Sequence, residues 1–129
     1  MNGDVLLDTN ILIALFANEA AVVDQLKQAE QVYVSSVALG ELYYGACKSG
    51  RAKENIARLD EFAASNVVLG CDAGVARGYG EVKEKLRQKG QPIPENDIWI
   101  AASALHYNLT LVTRDAHFQD VEGLKVEAW

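Results

Sequence analysis

Cysteine, histidine and basic charge are all scarce in this 129-residue chain, and each scarcity removes a class of protein. The two cysteines, Cys47 and Cys71, stand 24 positions apart with no CxxC pair and no neighbouring histidine. That excludes a zinc site and a disulfide framework and leaves reduced, buried thiols as the expectation. Long hydrophobic runs are also missing. The first apolar stretch is broken by Asp8 and Asn10, and Met1-Asn2-Gly3-Asp4 offers no basic lead. Neither a secretory leader nor a membrane span is expected, which points to a cytoplasmic protein. There are no repeats or low-complexity tracts. Lysine and arginine number 12 against 18 acidic residues, a formal charge of −6. At first sight that argues against a nucleic-acid binder, because phosphate calls for a basic footprint.

The charge is unevenly spread. Residues 48–89 hold nine basic and six acidic residues, net +3, and the remainder is net −9. An acidic chain of this kind can still present a basic face. Half of the residues are hydrophobic, and a chain of this length buries roughly two-thirds of its unfolded surface, so one domain with a real core is expected and disorder is excluded.

Val5-Leu6-Leu7 is an unbroken apolar run closed by Asp8, the pattern of a strand covered on both faces. A helix from Ile11 to Phe16 follows, then an Asn18-capped helix carrying Val22, Val23, Leu26 and Ala29. Val32-Tyr33-Val34 reads as a second strand, ending at Ser35-Ser36, either of which can cap a helix running to about Lys48. Residues 52–64 place Ala52, Ile56, Leu59 and Ala63 on one helical face. Val67-Val68-Leu69 is a third strand. Asp72 caps a long helix with Val75, Tyr79, Val82 and Leu86 inward, ended by Gly90. Gln91-Pro92-Ile93-Pro94 is a rigid linker, too short to divide domains. A helix from Glu95 to Tyr107, a strand at Leu111-Val112 and a strand at Leu124-Lys125-Val126 complete the chain. The alternation predicts an α/β fold, a parallel five-stranded sheet with helices on both faces.

Sites in such sheets form outside the carboxyl ends of the strands. Four carboxylates from distant positions are expected at that edge: Asp8 ending strand one, Glu41 one turn into the helix after strand two, Asp97 opening the helix before strand four, and Asp115 just past it, beside Thr113. Singly, Asp8 reads equally as a helix cap, Asp97 as a dipole complement and Asp115 as a turn residue. Glu41 resists such a reading, because its helical neighbours Val37, Ala38, Tyr44 and Gly45 offer no cation. Together, unpaired carboxylates repel unless a cation joins them. An oxygen-only set suits Mg²⁺ and the in-line displacement of a phosphodiester by metal-activated water. His106 reads as helix packing or surface, His117 as a solvated turn, and Trp99 and Tyr107 as core.

Asp8-Thr9-Asn10, Glu41 within Ser36-Val37-Ala38-Leu39-Gly40-Glu41-Leu42, Asn96-Asp97 with Ile100-Ala101-Ala102, and Thr113-Arg114-Asp115 with His117-Phe118 together resemble the PIN-domain ribonucleases, specifically VapC-type toxins of toxin–antitoxin pairs. The resemblance covers essentially the whole chain, 1–129, as one domain. It implies a Mg²⁺- or Mn²⁺-dependent endoribonuclease acting on RNA, a homodimer, and neutralisation by a cognate antitoxin through which any DNA is contacted. It carries over Asp8, Glu41, Asp97 and Asp115 as metal-binding and catalytic acids, Thr113 and Asn10 as supporting groups, and a 5′-phosphate product formed without the 2′-hydroxyl. Lys48, Arg51, Lys53 and Arg114 are candidate RNA contacts, each equally readable as a solvated charge.

Two other readings compete. A phospho-acceptor receiver domain wants an acidic pair after strand one, an Asp closing strand three and a Lys after the strand corresponding to Leu111-Val112; here Asp8 is single, Asp72 lies beyond strand three, and that Lys is missing. A haloacid-type phosphatase wants an Asp where Asn10 stands. The alternative within the family is a PIN-fold subunit of a DNA-binding regulatory complex in which cleavage is secondary.

Overall fold

Val5, Leu6 and Leu7 are all buried, although neighbouring residues of a strand face opposite sides of a sheet. Both faces are therefore covered at the first strand, as its unbroken apolar run required. The computed structural model describes residues 3–129, so the reading of Met1 and Asn2 lies outside the described residues. The strands are β1 (Asp4–Leu7), β2 (Gln31–Ser35), β3 (Val67–Leu69), β4 (Thr110–Val112) and β5 (Val126–Glu127). All pairings are parallel, in the order β3-β2-β1-β4-β5. Val5 lies opposite Val32, and Leu6 and Leu7 opposite Leu111 and Val112.

Among the described residues six helices accompany them: α1 (Thr9–Phe16), α2 (Ala20–Leu26), α3 (Ser36–Cys47), α4 (Ala52–Ser65), α5 (Ala73–Lys89) and α6 (Glu95–His106), with a 3-10 turn at Ala116–Asp120. The core gathers Leu6, Leu7, Ile11, Leu12, Ile100, Leu111 and Phe118, all fully buried. Each such side chain contributes about 1.5–3 kcal/mol of transfer free energy. Among the described residues, no helix is long and apolar enough to cross a membrane.

The caps follow local chemistry. Ser35 Oγ accepts the Val37 N–H at 3.1 Å, and Asp72 accepts that of Val75 at 3.0 Å. Gly90 ends α5 in the left-handed region, φ 68°. Asn18 departs from expectation. It adopts φ 59° between two helices, while Glu19 takes the cap position of α2 without a side-chain bond, and Ala29 lies beyond that helix. Asn suits both the cap and the left-handed turn, and the short α1–α2 connection demands the turn. The last strand also begins later than expected. Gly123, φ 82°, turns the chain so that the Leu124 N–H bonds back to the Val121 carbonyl, leaving Val126 and Glu127 to pair with β4. Helix α6 ends at His106, with Tyr107 as its cap residue. Both cysteines are free and exposed rather than buried.

Helices α5 and α6 cross closely where Gly78 faces Ala102. A Cβ at Gly78 would sit 3.5 Å from the Ala102 Cβ, an ordinary contact. Gly78→Ala should therefore raise stability by up to about 1 kcal/mol through helix propensity, whereas Gly90→Ala should lower it by about 1–2 kcal/mol through its left-handed backbone. Urea unfolding midpoints of the two variants check both signs.

Candidate metal centre

The strand order reverses between β1 and β4, which places a crevice beyond their carboxyl ends. Asp8 leaves β1 at that point and Thr113 leaves β4. Each is only 2% exposed. Their backbones continue the sheet, with the Asp8 N–H donating to the Val112 carbonyl and the Thr113 N–H to that of Glu127, both at 2.9 Å. Asp8 is both cap and site residue. One oxygen accepts the Thr9 N–H at 2.8 Å and starts α1, while the other accepts the Thr113 hydroxyl at 2.8 Å and the Asn10 amide at 3.3 Å.

Asn10 ties the two strand ends together. Its amide also reaches Asp115 at 3.2 Å and Thr113 Oγ1 at 3.4 Å, and its carbonyl accepts the Arg114 N–H at 3.3 Å. Thr113 Oγ1 in turn accepts the Asp115 N–H at 3.0 Å. Glu41, one turn into α3, accepts the Thr9 hydroxyl at 2.8 Å. Asp97, in the first turn of α6, meets His117 Nε2 at 2.7 Å. Asp8, Glu41, Asp97 and Asp115 line one open cleft of about 560 Å³, together with Thr9, Asn10, Ile13 and Pro94.

All four sequence-expected acids, with Asn10 and Thr113, thus meet at one place. Among the described residues none of the four is ion-paired with a lysine or arginine. Burial pushes the Asp8 carboxyl above its ordinary range, with the Asp97 and Asp115 charges adding to the rise and the Thr113 and Thr9 hydrogen bonds opposing it. Burial likewise raises Asp97, aided by Asp115 and Glu41 and opposed by His117. Ligand atoms of Asp97, Asp115 and His117 lie within 4.8 Å of one another. The donor set, carboxylates left without a cation and opening on a cleft, fits a hard divalent ion.

The expected RNA contacts lie elsewhere. Lys48 sits over the Tyr44 ring at 4.7 Å near the far end of α3, Arg51 pairs with Glu54, and Lys53 is exposed on α4. The Arg114 guanidinium is held by Glu19 and the Trp129 main-chain oxygen, each at 3.0 Å. None of these four side chains lines the acidic cleft. Two residues outside the sequence expectation do meet the acids, Thr9 and His117. His117 is not a free solvated turn. Fully buried Phe118 pins the 3-10 turn and brings the adjacent imidazole to Asp97. The Thr9 hydroxyl had a signal in sequence, since it stands between two site residues. Trp99 stacks on Tyr79 at 4.1 Å, half-buried, whereas Tyr107 is exposed and its hydroxyl bonds Asp72.

A parallel sheet whose switch point carries four carboxylates, unpaired with lysine or arginine among the described residues, defines a class of α/β domains with an acidic cleft. The chain belongs to the PIN-domain family, whose profile matches residues 5–124, and within it to the VapC group. It is 36% identical over 127 residues to ribonuclease VapC2 of Haemophilus influenzae and, equally, to the tRNA(fMet)-specific endonuclease VapC of Shigella flexneri, covering 96% of both chains in each case. The structure of VapBC2 from Rickettsia felis bound to a fragment of its promoter DNA superposes with a TM-score of 0.89 at 32% identity, over 98% of each chain.

In the metal-free protein the raised carboxyls oppose folding at neutral pH. An acid whose folded pKa is raised favours the folded state below its unfolded pKa and loses that contribution as pH rises through the folded value. Asp8→Asn keeps the cap and removes the charge. In EDTA its melting temperature should exceed that of the wild type at pH 7–8, and the gap should close as pH falls toward 4.

Proposed function

We propose that the protein is a divalent-metal-dependent endoribonuclease, the toxin of a toxin–antitoxin pair, that hydrolyses RNA phosphodiester bonds in the cytoplasm. The observation carrying this reading is the set of four carboxylates at the switch point, none of which, among the described residues, is paired with a lysine or arginine. The names of its relatives supply RNA as the substrate class, and tRNA as the first substrate to test.

Asp8, Glu41, Asp97 and Asp115 would hold Mg²⁺ or Mn²⁺. A bound ion would supply an activated water and positive charge to offset the phosphodiester. The chain's own groups fix the geometry. Asn10 and Thr113 lock Asp8 against the strand ends, and Thr9 holds Glu41 over the cleft. Ile13 and Pro94 provide apolar wall beside the acids. Water rather than the ribose 2′-hydroxyl is the nucleophile, so the cut ends carry a 5′-phosphate and a 3′-hydroxyl.

Incubation with total RNA and with tRNA should give Mg²⁺- or Mn²⁺-dependent cutting that EDTA abolishes. Asp8→Asn should reduce it about a hundredfold or more, equivalent to about 2.7 kcal/mol of barrier. Cutting that persists in EDTA, or ends bearing 2′,3′-cyclic phosphate, would sink the mechanism.

The cleft continues past Thr9, Ile13 and Glu41 into a mainly apolar groove lined by Phe16, Leu42, Ala46 and Leu59, with Arg58 at its side. Arg58 donates to the Phe16 carbonyl at 2.8 Å and lies over that ring. An antitoxin segment with an apolar face fits this groove and would cover the cleft beside it. The relatives solved as VapBC complexes, some on DNA, support this partner. Any contact with DNA would run through the antitoxin, in line with the relatives solved as DNA-bound VapBC complexes.

Gly45 lies on the groove, and a Cβ there would meet nothing within 4 Å. Gly45→Gln should fold and cut RNA as the wild type does, yet lose inhibition by co-purified cognate antitoxin by about tenfold or more, a loss of about 1.4 kcal/mol. Titration of antitoxin into the cleavage assay checks this.

A further inference from the structure

The four acids are not held alike. Asp8 accepts three hydrogen bonds, Glu41 is held by Thr9, and Asp115 by Asn10. Among the described residues the only hydrogen-bond partner of the Asp97 carboxylate is His117, whose Nε2 lies 2.7 Å from Oδ2. Pro94, at the cap of α6, offers no side-chain acceptor to the N–H groups of that first turn. The imidazole itself is anchored. It belongs to the 3-10 turn whose next residue, Phe118, is fully buried, and the two rings lie 4.8 Å apart.

A carboxylate that binds a cation is ionised and only accepts hydrogen bonds, so in the metal-bound site the proton of this contact would sit on Nε2. A nitrogen carrying that proton has no lone pair for a metal. We propose that His117 is a positioning residue of the metal centre: Nε2–H holds Oδ2 of Asp97, leaves the other oxygen for the cation, and keeps the imidazole outside the coordination shell. The cation then meets oxygen alone, which favours Mg²⁺ and Mn²⁺ over zinc. Outer-shell partners of metal ligands commonly govern affinity by 10–100-fold. This inference rests on the acidic cleft being a metal site.

The full-length chain is titrated with Mn²⁺, with free ion read from its electron paramagnetic resonance signal and bound ion examined for ¹⁴N coupling. The wild type should bind Mn²⁺ and show no directly bonded nitrogen. His117→Ala should weaken binding about tenfold or more, His117→Gln should restore most of it through its amide N–H, and His117→Ala should add nothing in an Asp97→Asn background. Directly bonded ¹⁴N in the wild type would make His117 a ligand and overturn the proposal. So would an alanine variant that binds within about twofold of the wild type, or a glutamine variant as weak as the alanine one. The wild-type spectrum needs no variant to fold. A wild type that binds no Mn²⁺ would overturn the metal reading itself, and this inference with it.

Discussion

Mutual repulsion among four carboxylates at one edge of the sheet is the constraint around which the rest of the site is arranged. Two of them, Asp8 and Asp97, are buried enough that desolvation and their neighbours' charges both oppose ionisation. No lysine or arginine answers them among the described residues. What holds them together is backbone geometry and short side-chain partners: the β1 and β4 ladder ends, the start of α1, Thr113 and Asn10 at Asp8, and His117 at Asp97. This arrangement stores unfavourable charge that a cation entering from the cleft can neutralise. A lysine in the same place would stabilise the fold and remove the reason for an ion to bind.

The same constraint explains why the fold is conservative where the site is demanding. Asp8 is aimed by the pairing of Leu6 and Leu7 with Leu111 and Val112, which fixes the end of β1 against β4. Thr113 inherits its position from β4 and β5 together. The opposite edge is looser: Val67 and Val68 of β3 are more than a third exposed, and no site residue depends on that strand.

Much of this was legible in the residues. The unbroken run Val5-Leu6-Leu7, the caps Ser35 and Asp72 and the stop at Gly90 are local signals, and local physics decides them. The convergence of Asp8, Glu41, Asp97 and Asp115 was legible because parallel topology sends every strand's carboxyl end to one edge. Asn18 was not legible, since its two favoured roles share one residue type and only the turn between α1 and α2 selects between them. His117 was not legible either. Whether a histidine in a turn faces solvent or a carboxylate depends on how Phe118 seats in the core, which no spacing encodes. The fate of the cations was hidden for the same reason, because side-chain pairing is decided after the helices are placed.

That last point changes how the basic segment 48–89 bears on RNA. Three of its ion pairs are internal and already counted in its net +3, and one reaches Glu95 outside the segment, which leaves +2. Arg51 pairs with Glu54, Arg77 with Glu81, Lys83 with Glu95 and Arg87 with Glu84. Such exposed pairs contribute about 0–1 kcal/mol each, so a phosphate can displace them at small cost. They cannot, however, give the strong long-range field of a basic nucleic-acid binder. With the four site acids set aside, the remainder of the chain carries −2. Two divalent ions would cancel the site charge and turn its most acidic cleft into one that attracts phosphate. On the proposed metal mechanism the affinity for RNA would follow divalent-ion concentration more steeply than in a protein whose positive charge is its own, and the low net charge would be compatible with a nucleic-acid substrate.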